Sequence, residues 1–286
     1  MTNDGIKEDD IDAASADVGE HREANYEAVA SQAARVGSAL KRGAAAVGKG
    51  VASTYKSIDP DLRWHAYQLP LVGLSMLMPR PRPLQARAAD GHRPVVFVHG
   101  LGGHPGNFVA LKAYFASRGR TRSYVVDFGA ADTLEWMAYD LAAYLKSVIE
   151  QNGLDPEGAV DLVCHSMGGL VARLAMDDPG VRSMVKHVIT LGTPHSGSHL
   201  ARLAATNLTL ALRPGSEIMQ RLEAQTFWGE QDAPKMTAFW SGADTIVLHA
   251  ENSTYVHAEN VEIAGATHYG FLISPAAFRA IFVRLT

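Results

Sequence analysis

The chain has 286 residues, 47% of them apolar, and a formal net charge of −4. That allows one large domain or two small ones around a sizeable core, and the charge makes no electrostatic case for nucleic acid. One cysteine excludes an internal disulfide, and no apolar run approaches the roughly 20 residues that cross a bilayer.

Residues 1–20 are acidic, with Asp4, Glu8, Asp9, Asp10 and Asp12 where a secretory signal would be basic and then apolar. They read as a disordered leader, and the expected location is the cytoplasm. From Ala24 to Lys56 alanine and glycine dominate. Tyr26, Val29, Ala33, Val36 and Leu40 recur near helical period, and Arg35, Lys41, Arg42, Lys49 and Lys56 add positive charge. This is a basic helical arm weakened by glycines. It is expected to lie on the domain, with peripheral contact to an anionic membrane as the functional alternative. Residues 1–58 are thus taken as leader and arm. Residues 59–92 form an apolar connecting segment ending in Pro79-Arg80-Pro81-Arg82-Pro83, an extended linker by proline content. The main domain is expected over 93–286.

Within it, strands are predicted at Pro94–Val98, Arg122–Asp127, Ala159–Val163, Val185–Leu191, Met236–Trp240 and Asn260–Ala264. Helices are predicted at Asn107–Ser117, Thr133–Glu150, after Ser166, and at Pro275–Arg284. Alternating strands and helices indicate an α/β fold with a mostly parallel sheet. The apolar stretch at about 198–233 is expected to be a short cap whose leucines, Phe227 and Trp228 partly form an acyl groove.

Cys164-His165-Ser166-Met167-Gly168-Gly169 joins a buried strand to a helix. The sharp strand-to-helix turn would hold Ser166 on the surface as a nucleophile elbow. Serine chemistry also needs a base, an acid that orients it, and donors for an oxyanion. His268 and Asp244 follow strands and occur in the order serine, acid, histidine. The backbone N–H groups of Leu101, in the glycine-rich His99-Gly100-Leu101-Gly102-Gly103, and of Met167 would be the oxyanion donors. Rival acids are Asp127, Asp232 and Glu251; rival bases are His249 and His257. His99, His165 and His195 read as positioning residues. No histidine pair has metal-ligand spacing with a third ligand, and no carboxylate cluster argues for calcium.

These motifs, with Leu191-Gly192-Thr193-Pro194-His195-Ser196-Gly197, Trp240-Ser241-Gly242-Ala243-Asp244 and His268-Tyr269-Gly270, together resemble the small bacterial triacylglycerol lipases and esterases of the α/β-hydrolase superfamily. The resemblance runs from about Arg93 to the C-terminus. It implies a six-stranded core and cofactor-free hydrolysis of a small-molecule ester or lipid through acyl-Ser166. Asp244 would be the acid, His268 the base, and Leu101 and Met167 the oxyanion donors. An acyltransferase, a thioesterase or a silent binding scaffold are the alternatives. Cys164 stands where the family has glycine or alanine, and residues 1–92 have no counterpart in the family.

Overall fold

The computed structural model describes residues 84–285 apart from 248, together with 70, 73–75 and 77. The expectations for the leader, the arm and most of the connecting segment lie outside these residues. The unit described here comprises Asp61–Phe128 and Asp132–Thr286.

Its centre is a six-stranded sheet: β1 (Val95–Val98), β2 (Ser123–Val125), β3 (Val160–His165), β4 (Val185–Leu191), β5 (Lys235–Trp240) and β6 (Glu259–Glu262). The order is β2-β1-β3-β4-β5-β6, and every pairing is parallel. β1 and β3 are buried along their whole length, as strands covered on both faces are; β1 is wholly apolar, and β3 is apolar but for Asp161 and His165. Alternate residues serve the two faces. Val95, Phe97 and Val163 join a core with Phe108, Leu111, Phe115, Phe278 and Ile281. That layer comes from α1 (Val109–Ala116) and α7 (Pro275–Leu285). On the other helices, α2 (Leu134–Gln151) packs against α3 (Gly168–Ala175). Thr133 caps α2 by accepting from the Trp136 N–H.

β6 begins one residue earlier and ends two earlier than its sequence pattern suggests, and is largely exposed. It is an edge strand with only Val261 half-buried against the core, so burial disciplines its pattern weakly, and Glu259 and Glu262 protect the open edge. A further short helix, α4 (Pro179–Met184), opens on the Asp178 cap with proline in its first turn. No described helix is long and apolar enough to cross a membrane.

The chain leaves β1 toward β2 on one side and places β3 on the other. The strand order therefore reverses between β1 and β3, and ligands bind outside the carboxyl ends of strands at such a point. Leu101 follows β1 and Ser166 follows β3, so both lie there. The opposite end of the same strands is tied by charge. Asp161, at the start of β3, accepts from Arg120 Nη2 at 2.6 Å and Arg93 Nε at 3.1 Å. Arg120 and Asp161 are both wholly buried.

Candidate active site

Ser166 is the first residue past β3, and its φ is +56°. A side chain there strains the backbone, so the surroundings must over-determine it. The Ser166 N–H donates to Leu191 O at 2.9 Å. Its carbonyl accepts from the Thr193 hydroxyl at 2.8 Å and from the Gly169 N–H at 3.1 Å. A Cβ on Gly168 would fall 2.5 Å from the Val98 carbonyl oxygen, so only glycine lets α3 begin this close to β1. Cys164 fits the same turn from within β3, paired with Val98 and Thr190 on the adjacent strands and fully buried. Burial pushes its thiol pKa up.

His268, after β6, donates from Nδ1 to Asp244 Oδ2 at 2.8 Å. Both side chains are almost completely buried. The other carboxylate oxygen of Asp244 accepts from the backbone N–H groups of Ile246 at 2.9 Å and Val247 at 3.0 Å. Burial acts to raise the Asp244 pKa, but the His268 hydrogen bond and charge and the two N–H groups outweigh it and hold the carboxyl below its ordinary value. The acid is therefore ionised at neutral pH, and with its oxygens so placed it fixes the Nδ1–H tautomer of His268. Nε2 is left to accept a proton.

Ser166 and His268 line one cavity of about 20 Å³, with Gly100, Leu101, Gly102, Gly103, Asn107, His165 and Tyr269. This holds about one water-sized atom. A Cβ on Gly100 would lie 2.7 Å from Ser166 Cβ and 3.2 Å from the Met167 nitrogen, so the loop after β1 runs directly against the start of α3. Among the described residues, the N–H groups of Leu101 and Met167 have no protein acceptor. Met167 is also the N-cap of α3, where the helix dipole favours negative charge.

The histidines around the site have separate places. His165 donates from Nε2 to the His268 carbonyl at 2.8 Å, and the two rings lie 4.7 Å apart. Burial, then the His268 charge, drives the His165 pKa down to about 3. His165 is thus a neutral strut between the end of β3 and the loop of His268. His99 is buried, with Nδ1 donating to Gly100 O at 3.1 Å. His195 bridges Thr190 Oγ1 at 3.0 Å and the buried Arg173 guanidinium, and stacks on Tyr255. Burial, then Arg173, takes its pKa well below the usual imidazole value.

The rivals lie elsewhere. Asp127 is past the end of β2, which β1 separates from β3. Asp232 is exposed. Glu251 pairs with His249 at 3.4 Å on the surface, and His257 is exposed against Tyr255. Sequence reasoning placed Gly192, Thr193 and Tyr269 in its motifs without giving them a role, and read Asn107 only as the start of a helix. Thr193 holds the Ser166 carbonyl, and a Cβ on Gly192 would fall 2.8 Å from Asp244 Oδ2. A glycine and a threonine directly after an apolar strand were the available signal.

The segment expected to be a cap is built of short elements. Residues 198–233 contain short helices, α5 (Asn207–Ala211) and α6 (Glu217–Glu223). Leu212, Ile218, Met219, Leu222 and Trp228 are buried, and none of residues 198–233 lines the cavity at Ser166. Met219 and Glu223 instead border a separate cavity of about 430 Å³ beside Arg173 and His195. Part of the apolar surface of this segment thus goes into packing, and Leu203 and Leu210 stay exposed.

Residues 89–210 match the family described as a PGAP1-like alpha/beta domain. A triacylglycerol lipase of Burkholderia plantarii is 34% identical over 152 residues, which are 48% of this chain and 40% of that protein. The human lysosomal thioesterase PPT2 is 30% identical over 141 residues, 48% of this chain and 43% of that protein. The chain thus spans less than half the length of these relatives. Among solved structures, the mature lipase BlEst2 of Bacillus licheniformis superposes with a TM-score of 0.59 at 22% identity, over 73% of this chain and 96% of that one. That likeness is one of fold. With its parallel sheet and the turn at Ser166, the chain has the α/β-hydrolase fold and resembles the bacterial lipases and esterases.

Proposed function

We propose that this protein hydrolyses a carboxylic ester through an acyl intermediate on Ser166. The observation that carries the reading is the buried Asp244–His268 pair at 2.8 Å, with His268 opening on the same small cavity as Ser166. His268 Nε2 takes the Ser166 proton as the hydroxyl oxygen attacks the ester carbonyl. Asp244 stays ionised and stabilises the imidazolium. The carbonyl oxygen becomes an oxyanion, which the N–H groups of Leu101 and Met167 receive. His268 then protonates the leaving alcohol, and water attacks the acyl-serine by the reverse path.

The substrate is proposed to carry an apolar acyl group. Leu101, which lines the cavity at Ser166, and Ile246, whose N–H holds Asp244, are both exposed. The similarity to a triacylglycerol lipase supports the same class. The similarity to a lysosomal thioesterase favours a second reading, thioester hydrolysis by the same groups. Fluorophosphonate labelling, mapped by peptide mass spectrometry, tests the nucleophile. Turnover of p-nitrophenyl esters and matched thioesters of graded chain length tests the substrate. Absence of Ser166 labelling overturns the proposal.

The membrane contact expected of residues 24–56 is a separate proposal. Deleting residues 1–56 is expected to preserve turnover of a short soluble ester. Co-sedimentation of the full chain with anionic vesicles is expected to weaken as salt rises. Absence of binding at low salt rejects it.

A further inference from the structure

Asn107 lies in the 3₁₀ turn Pro105–Phe108 that follows the glycine loop, and it is buried. The turn is held from within: Gly106 N–H donates to His104 Nδ1 at 3.0 Å, and Asn107 N–H donates to His104 O at 2.9 Å. The Asn107 side chain is also oriented. Its Oδ1 accepts from the Ser75 hydroxyl at 2.9 Å, which points the amide nitrogen the other way. Among the described residues Nδ2 has no hydrogen-bond partner, yet it is not among the buried polar atoms closed off without one. It therefore opens on free space, and the space that Asn107 lines is the cavity shared with Ser166, Leu101 and His268.

That cavity holds about one oxygen-sized atom. Leu101 and Asn107 border it together with Ser166 and His268, and the Met167 nitrogen lies against Gly100, another of its lining residues. An alkoxide-like oxygen has three lone pairs, and the backbone N–H groups of Leu101 and Met167 occupy two. We infer that Asn107 Nδ2 is a third donor to the oxyanion, beside the two backbone N–H groups. The inference rests on the ester-hydrolase reading above. The carboxamide suits the place chemically. It is neutral across the working pH range, so it adds a donor without competing with His268 for the proton. Its carbonyl, which would repel an oxyanion, is occupied by Ser75.

The test uses the full chain with two near-isosteric variants. Asn107→Asp keeps the acceptor that Ser75 uses but loses the Nδ2 donor. Asn107→Leu removes the donor without adding charge. Thermal melts check the fold, and Asn107→Ala replaces the leucine variant if that one does not fold. The readouts are the rate of fluorophosphonate labelling at Ser166, and kcat and KM on a short p-nitrophenyl ester. Loss of one oxyanion donor lowers turnover by about 10²-fold. Both variants are expected to lose on this order in labelling rate and in kcat, with KM near the parental value, because the donor acts on the tetrahedral species and not on bound substrate. Labelling by the neutral variant within about threefold of the parent overturns the inference. So does a loss confined to the aspartate variant, which is then an effect of its charge. Wild-type protein that is not labelled at Ser166 overturns the hydrolase reading itself, which separates the two failures.

Discussion

Gly192→Ala is a one-carbon change aimed at the contact between acid and base. Gly192 has φ +56°, and its missing Cβ would lie 2.8 Å from Asp244 Oδ2, 3.2 Å from Phe271 Cε2 and 3.3 Å from His268 Nδ1. Two effects add. A side chain in the left-handed region costs about 1–2 kcal/mol. The second effect is steric, since the carboxylate contact is about 0.6 Å shorter than an ordinary one. The strand end cannot easily give way, because Gly192 N–H donates to Phe239 O at 2.9 Å and the next residue clamps the Ser166 carbonyl. The carboxylate gives way instead. Its Oδ1 stays on the Ile246 and Val247 N–H groups, so Oδ2 swings away from His268. The 2.8 Å bond then stretches toward roughly 3.4 Å, the outer limit of a hydrogen bond. Complete loss of the orienting acid in the serine-protease template costs about 10⁴-fold. A stretched contact is expected to cost on the order of 10²–10³-fold in kcat with little change in KM. Gly153→Ala supplies the control. It has φ +59° with open space around its Cβ, so it carries the backbone strain alone. Steady-state kinetics on a short p-nitrophenyl ester and thermal melts of both variants decide the matter. If both alanines lose similar stability and both keep turnover within about threefold of the parent, the Asp244–His268 contact does not limit catalysis.

Ser166→Ala is expected to abolish ester turnover and fluorophosphonate labelling while the protein stays folded; residual labelling would place the nucleophile elsewhere. Asp244→Asn is expected to lower kcat by about 10⁴-fold, whereas Asp127→Asn stays near parental, and the reverse pattern in steady-state assays rejects the acid assignment. Asp161→Ala leaves Arg120 buried without its carboxylate. It is expected to cost about 3–5 kcal/mol in urea unfolding, while the labelling rate at Ser166 in the folded protein is unchanged. Stability should also fall in mild acid. Burial holds His165 down to about 3 and His187 down to about 4, and drives His195 well below its usual value. Below the ordinary imidazole value of about 6.5, the unfolded chain takes up protons that the folded chain refuses. Each histidine then contributes a loss of about 1.4 kcal/mol per pH unit until its folded pKa is reached. Urea midpoints between pH 7 and 5 measure this, and a pH-independent midpoint contradicts it.

The sheet was legible where burial governs composition. β4 spans Val185–Leu191 as its apolar run indicates, and α7 extends one residue beyond its predicted end. Edge and short elements were less legible. β6 carries exposed residues, and α4 has six residues, too few for a periodic pattern. Ser166, Asp244 and His268 could be picked out because each follows a strand, and parallel strands bring their carboxyl ends to one edge. Contacts between distant residues left no local trace. Asp161 reads as a polar interruption in an apolar strand, and only the fold brings Arg120 to it across 41 positions. The role of Gly192 depends on Asp244, His268 and Phe271, all more than 50 residues later in the chain. For the cap leucines, hydropathy alone does not distinguish a residue that lines a pocket from one that fills a core: Leu212 and Leu222 are buried, whereas Leu203 and Leu210 are exposed.

Cys164 gives the protein a practical property. It is the chain's single cysteine, it is buried, and burial raises its thiol pKa. Thiol reagents act on the exposed thiolate, so maleimides and iodoacetamides leave the native chain unmodified. A cysteine introduced at an exposed position such as Leu203 becomes the sole attachment point for a fluorophore or spin label. The fold is then its own thiol-blank background. With an organophosphorus probe on Ser166, the proposed nucleophile, and a thiol probe at the new site, the distance between the two can be measured in solution.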